Sequence, residues 1–229
     1  MILRVGTSGF GYREWLGKFY PPGFSSREML RYYAERFSSV EINATFYRMP
    51  AGSVLDTWLE QVPDDFIFTF KAPREITHQK RLRDAGQAAA AFTARIAMAG
   101  PRLGPILYLI PANLPCDLPL LRDFLAAIPR LRSALEFRHL SWFNDEVFDL
   151  LRENDCALCL SDRDDVPPPP LVASTDFGYA RLRRSDYTDR DLRTWQERIE
   201  AQDWREAFVY FRHEETAKGP LFAQKMLAG

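Results

Sequence analysis

The residues of this sequence best placed to do chemistry are charged groups that close short apolar runs. They are the cations Lys71, Arg138, Arg181, Arg183 and Arg212 and the anions Glu41, Glu136 and Asp162. Side chains alternate between the two faces of a strand. Phe66, Phe68 and Phe70 therefore share one face and leave Ile67, Thr69 and Lys71 on the other. By the same alternation Val40 and Ile42 set off Glu41 and Asn43, and Leu135 and Phe137 set off Glu136 and Arg138. The sixth run ends on Asp162, the seventh offers Arg181 and Arg183, and the eighth offers Tyr210 and Arg212.

A charge on an enclosed strand face has no water to solvate it and must pair with another charge or with a ligand. Five cations against three carboxylates leave a local positive excess, which predicts a small anionic partner, phosphorylated or carboxylated. Lys71, Arg138 and Arg181 would hold the anion, and Glu136 or Glu41 would act as base, because a carboxylate beside several cations stays ionised at neutral pH. Asn43 and Tyr210 would orient the substrate. Glu136, Glu41 and Lys71 thus form the candidate catalytic set, with Tyr47, His78, Trp142, Asp162 and Arg212 as further candidate binding residues. The plainer reading is an ion-pair network that satisfies itself and only closes one end of the fold.

Other features carry less. His78, His139 and His213 follow strand ends and, with Glu41, Glu136 and Asp162, invite a divalent-metal site, but no pair has the spacing of a ligand motif and no metal or cofactor is predicted. Gly6-Thr7-Ser8-Gly9-Phe10-Gly11 could offer backbone N–H groups to an anion or could be a tight turn; it is neither a P-loop nor a nucleophile elbow. Trp15, Phe19, Tyr20, Phe46, Tyr47 and Trp142 lie on loops after strands, where aromatics wall a pocket or cap a core. Cys156 and Cys159 have the spacing of a redox pair but sit three apart in an apolar run, hence on opposite strand faces. With Cys116 they make an odd number, so reduced thiols are expected.

The elements that must position these groups alternate from end to end, in the βαβα order of a parallel sheet. Eight runs read as strands: Leu3 to Thr7, Ser39 to Asn43, Phe66 to Lys71, Pro105 to Ile110, Ala134 to Arg138, Ala157 to Asp162, Tyr179 to Arg183 and Phe208 to Arg212. Helices are expected over Met29 to Phe37, with Ser25 to Glu28 as a capping box, and over Ser53 to Gln61, Ala85 to Met98, Leu118 to Ala127, Asp145 to Glu153, Arg190 to Gln202 and Ala217 to Leu227. Between the sixth and seventh strands Pro167 to Pro170 forbid a helix interior, so that crossover helix should be replaced by a Pro-rich segment. The expected fold is α/β, one parallel (β/α)8 TIM-type barrel over residues 1–229, with an open doubly wound sheet as the alternative.

Size and charge bound the function. The 229 residues, 46% hydrophobic, suffice for one large core. A net charge of −1 gives no overall field to draw nucleic acid or an anionic membrane, so neither is expected as a partner. No stretch reaches the roughly 18 apolar residues of a membrane span and the N-terminus shows no leader, which predicts a cytoplasmic protein.

Taken together these residues resemble the YecE-like barrels, domain of unknown function 72, over nearly the whole chain. The resemblance rests on Gly6-Thr7-Ser8-Gly9-Phe10 with Trp15 and Phe19-Tyr20-Pro21, and on Val40-Glu41-Ile42-Asn43 with Thr45-Phe46-Tyr47. It continues through Trp58, Phe68 to Lys71 with Ile76-Thr77-His78, Glu136-Phe137-Arg138 with Ser141-Trp142, and Tyr179 with Arg181. It implies a TIM-type barrel with no established reaction, and it singles out Glu41, Asn43, Lys71, Glu136 and Arg138. Arg181-Leu182-Arg183-Arg184 stands where the family often has Arg-x-His-Gly, and Arg212-His213-Glu214 where it commonly has Asn; these departures point to a subfamily with a more basic pocket.

The leading expectation is an enzyme acting on a small anionic metabolite by acid–base chemistry. A metal-dependent phosphodiesterase or nuclease, similar in fold to the sugar-isomerase and abasic-site endonuclease barrels, is the second. A non-catalytic module that binds an anion or a partner protein is the third.

Overall fold

A computed structural model describes residues 1–164, 166–213 and 215–229. Nine strands and seven α-helices alternate among them. The strands are β1 (Ile2–Thr7), β2 (Ser39–Ile42), β3 (Ile67–Lys71), β4 (Leu103–Ile110), β5 (Ser133–Phe137), β6 (Cys156–Leu158), β7 (Leu160–Asp162), β8 (Phe177–Leu182) and β9 (Glu206–Phe211). The helices are α1 (Met29–Ala34), α2 (Gly52–Leu59), α3 (Gly86–Ile96), α4 (Leu118–Ala127), α5 (Asp145–Glu153), α6 (Asp189–Glu200) and α7 (Lys218–Ala228). Every strand pairing is parallel.

The strands form two sheets, ordered β1-β9-β8-β7 and β2-β3-β4-β5-β6, where eight strands in one ring were expected. Both seams have a local cause. The sixth expected run divides at Cys159: Cys156 to Leu158 pair with β5, Cys159 N–H still donates to the Leu135 carbonyl, and Leu160 onward pairs with β8. At the other seam the Tyr33 hydroxyl stands where a ladder bond would run, accepting from Thr7 N–H at 2.8 Å and donating to the Ser39 carbonyl at 3.2 Å. Only a bridge between Ser8 and Glu41 then links β1 to β2. Gly6 fits this close approach because a Cβ there would lie 2.2 Å from the Ser39 carbonyl oxygen.

The alternation of side chains sorts the core into two layers. Phe66, Phe68 and Phe70, with Val40, Ile42, Leu135 and Phe137, pack toward the helices. On the other face Ile67, Leu107, Ala134, Ala157, Cys159, Phe177, Tyr179, Phe208 and Tyr210 form a smaller cluster drawn from both sheets. The two sheets thus face one another across a dry layer, with the polar strand ends above it.

Local signals account for several helix starts. Asn144 caps α5 by accepting from Val147 N–H, Asp117 caps α4 by accepting from Leu120 N–H, and Thr188 with Asp191 forms a capping box before α6. The box expected at Ser25 to Glu28 does not form. Ser25 Oγ accepts from Arg27 N–H within a turn, and Glu28, already in helical conformation, makes no side-chain cap to α1. Among the described residues from Asp162 to Asp176 there is no helix, as four consecutive prolines require; Asp165 lies outside the described residues, as does Glu214. No helix of the described residues is long and apolar enough to cross a membrane.

Candidate functional site

The centre of the site is Arg181, whose side chain is 1% exposed and whose whole fork is used. Nη1 donates to Glu136 Oε2 at 2.6 Å, Nη2 to Glu41 Oε1 at 2.8 Å, and Nε to Glu41 Oε1 at 3.2 Å. One guanidinium from β8 therefore ties a carboxylate of β2 to a carboxylate of β5. Further donors surround both carboxylates. Ser8 Oγ and Tyr179 OH donate to Glu41, while Ser161 Oγ, Arg138 Nε and Arg183 Nη1 converge on Glu136 Oε1. Donors in this number are what let two carboxylates stand buried at the end of an apolar core.

Above this pair lies a rim of cations. Lys71 is 6% exposed, its Nζ donates to Asn43 Oδ1 at 3.2 Å, and it sits 3.9 Å over the Phe46 ring. It makes no ion pair with any described carboxylate. Arg138, Arg183 and Arg212 are half-buried on the same strand phase, and Arg212 lies close enough to act electrostatically on both Lys71 and Arg183. His78 joins the rim: its ring lies 5.0 Å from Phe46, its Nδ1 is 2.8 Å from Thr77 Oγ1, and burial, then the charges of Lys71, Arg74 and Arg138, keep it below its ordinary pKa.

The electrostatics separate the titrating groups. Burial opposes the charge on Glu136, but Arg181, Arg138 and Arg183 together outweigh it and hold the carboxyl well below its usual range. Lys71 moves the other way. Burial, then the neighbouring Arg181, push its ammonium down to about 7, only partly offset by Glu41 and Glu136. The group of this site that changes protonation near neutrality is thus an amine.

Several candidate residues stand elsewhere than expected. Asp162 does not reach the cluster: it accepts from Trp195 Nε1 of α6 at 3.0 Å and pairs with Arg184 Nε at 3.1 Å. Its neighbour Ser161 takes the enclosed phase, because Leu158 and Leu160 face the helices and fix the alternation. Tyr210 lies below the site, fully buried, its hydroxyl against Ser39 Oγ. Trp142 is a core residue, stacked 4.8 Å from Phe137 with Nε1 donating to the Leu114 carbonyl. Tyr47 packs edge-on against Phe46 but is 70% exposed. With Asp162 paired to Arg184, Lys71, Arg138, Arg181 and Arg183 share two described carboxylates, Glu41 and Glu136.

The other polar motifs resolve locally. In the Gly6 to Gly11 segment, Thr7, Ser8 and Gly9 N–H groups donate to Tyr33 OH, Phe211 O and Glu41 O, so these three are already used within the fold. His139 turns to Ser141 and His213 Nε2 donates to the Arg184 carbonyl. No group of three metal-binding side chains comes together among the described residues. All three cysteines are free thiols, and Cys156 and Cys159 belong to opposite core layers.

Alternation alone did not identify Ser8, Ser161 and Tyr179 as partners of the two carboxylates, although Tyr179 and Ser161 share the phase of Arg181 and Cys159. Phe46 is one of the loop aromatics expected to wall a pocket or cap a core, and its ring is the platform for Lys71. The segment after β3 carries no sequence signal for its shape. It makes a π-helical turn over Glu75–Gln79, then holds Arg81, Leu82 and Asp84 at φ of 50°, 71° and 46°. Such backbone is costly for residues other than glycine and is found where loops are held in place by function or packing.

Comparison with known proteins agrees with this arrangement of strands and helices. Residues 4–228 match the profile of the family described as protein of unknown function DUF72. The chain is 38% identical over 144 residues to the UPF0759 protein YecE of Escherichia coli (strain K12), a match covering 62% of this chain and 50% of that protein, so the chain spans about half the length of that relative. It is 23% identical over 228 residues to the UPF0759 protein YunF of Bacillus subtilis (strain 168), covering 93% of this chain and 79% of that one. A DUF72 family protein of Thermotoga maritima MSB8 superposes with a TM-score of 0.85 at 25% identity, covering 100% of this chain and 98% of that one. One from Enterococcus faecalis V583 superposes at 0.79 with 19% identity, covering 100% and 96%, and shows the shared fold. The chain belongs to the DUF72 family.

Proposed function

We propose that this protein is an enzyme acting on a small phosphorylated or carboxylated metabolite at the C-terminal ends of its strands, with Lys71 carrying the proton chemistry. The observation that supports this most is the imbalance of the buried cluster. Glu41 and Glu136 are each held by several donors, while Lys71, Arg138 and Arg183 gather beside Arg181 on the same side. A phosphate or carboxylate entering there would complete the charge balance and accept forked N–H bonds from guanidinium groups.

The roles of the carboxylates follow from their bonds. Each accepts from three or more donors and is clamped by Arg181, so Glu41 and Glu136 act as positioning residues that hold Arg181 and Arg138. The group suited to give or take a proton near neutrality is the Lys71 amine. We further propose that the two sheets work as one closed barrel. The single-residue gap at Cys159, the Ser8–Glu41 bridge and the Tyr33 link support it, and protection of the Gly9 and Cys159 amides from hydrogen exchange would test it.

A thermal-shift screen of phosphorylated, carboxylated and neutral metabolites, with and without divalent ions, tests the reading. Anionic compounds should stabilise the wild type and lose that effect in Arg138→Ala. Stabilisation by neutral compounds alone would contradict it.

A further inference from the structure

We propose that Lys71 is a nucleophile that condenses with a carbonyl group of the anionic substrate to form an imine. This deepens the reading above and rests on it for the anionic half of the substrate. Lys71 Nζ ends at the strand mouth, 3.2 Å from Asn43 Oδ1 and 3.9 Å above the Phe46 ring, with no carboxylate paired to it among the described residues. The two nearby carboxylates are held by Arg181, and cations surround the amine. Lysines that attack carbonyls need this setting, in which burial and neighbouring cations favour the neutral amine and its lone pair. The direction of the Lys71 shift agrees with the geometry.

The step balances within the site and the substrate. The neutral Nζ adds to the carbonyl carbon, forming the C–N bond while the C=O π pair moves to oxygen and takes a proton. The nitrogen loses one proton, the carbinol oxygen takes another and leaves as water, and a protonated imine remains. In total an ammonium and a carbonyl give an iminium and water. The iminium keeps the positive charge of the ammonium, so the Phe46 face stabilises both. Arg138, just after β5, and Arg183, just after β8, both reach Glu136 Oε1 and would hold the anionic end. The substrate class is therefore an oxo acid or a phosphorylated aldehyde or ketone.

Borohydride trapping on the full chain tests this. The protein would be incubated with pyruvate or with pyridoxal 5′-phosphate, reduced, and mapped by peptide mass spectrometry, with pyridoxal as the aldehyde lacking phosphate. The chain has five lysines, of which Lys18 and Lys225 are exposed and Lys80 and Lys218 half-buried. The expected result is a secondary-amine adduct on Lys71 with at least one anionic probe, severalfold less with pyridoxal, reduced by competing inorganic phosphate, and absent in Lys71→Arg. Adducts confined to the other four lysines, or none, would overturn the imine. Calorimetric phosphate binding, measured in parallel, separates the two ideas. Binding without trapping sinks the imine and leaves the anion site, whereas trapping on Lys71 without phosphate binding sinks the anion site alone.

Discussion

Arg181 Nη1 lies 2.6 Å from Glu136 Oε2, and neither side chain is more than 1% exposed. That contact joins β8 to β5, and through Glu41 the same guanidinium reaches β2, so one side chain couples strands of both sheets. A buried pair of this kind adds little net stability over an apolar substitute, but removing one partner strands the other.

Arg181→Met should therefore destabilise the fold by about 3–5 kcal/mol, because it leaves both Glu41 and Glu136 buried with fewer donors. Urea denaturation at neutral pH measures this. A change near zero would mean that the two carboxylates reach water, contrary to their burial.

Arg138→Lys should weaken binding of inorganic phosphate by roughly 1–3 kcal/mol, since an ammonium cannot reproduce a planar fork. It should also cost some stability, because Arg138 Nε donates to Glu136 at 2.7 Å. Isothermal titration calorimetry reads the first effect and thermal unfolding the second.

Lys71 sets a pH dependence with a definite sign. Its folded-state pKa of about 7 lies below the ordinary lysine value, so the unfolded chain binds more protons between the two. Stability contributed by this group is then lowest below pH 7 and rises with pH above it, by at most about 1.4 kcal/mol per unit. Comparing wild type with Lys71→Met in urea at several pH values isolates this term. The wild type should gain on the variant from pH 7 to 9, and parallel curves would refute the shift.

Asp162 and Ser161 should separate cleanly. Asp162→Ala leaves the Trp195 indole N–H without its partner and should cost about 1–3 kcal/mol in stability while leaving phosphate affinity unchanged. Ser161→Ala removes one donor from Glu136 and should cost about 1 kcal/mol. Loss of phosphate binding in Asp162→Ala would return Asp162 to the site.

Much of this was legible beforehand because period-two alternation is dictated by backbone geometry. Phe66, Phe68 and Phe70 face the helices, so Lys71 had to face the other way; Val40, Ile42, Leu135 and Phe137 place Glu41 and Glu136 by the same logic. The starts of α4 and α5 follow from the N-caps Asp117 and Asn144. Asp162 ends its run but is on the wrong phase: Cys156, Leu158 and Leu160 face the helices, so Ser161 takes the enclosed face. The seam at Tyr33 was not legible, since it depends on a hydroxyl from α1 entering between two strands, a tertiary contact with no periodic signature. Nor was the loop after β3, whose left-handed residues are not glycines.

The most direct test of the central claim is a calorimetric titration of inorganic phosphate into the wild type and into Arg138→Ala and Lys71→Met at low ionic strength, where screening is weakest. One phosphate should bind per wild-type chain, with weaker binding in both variants. Equal affinity in all three proteins, or no binding to the wild type, would contradict it.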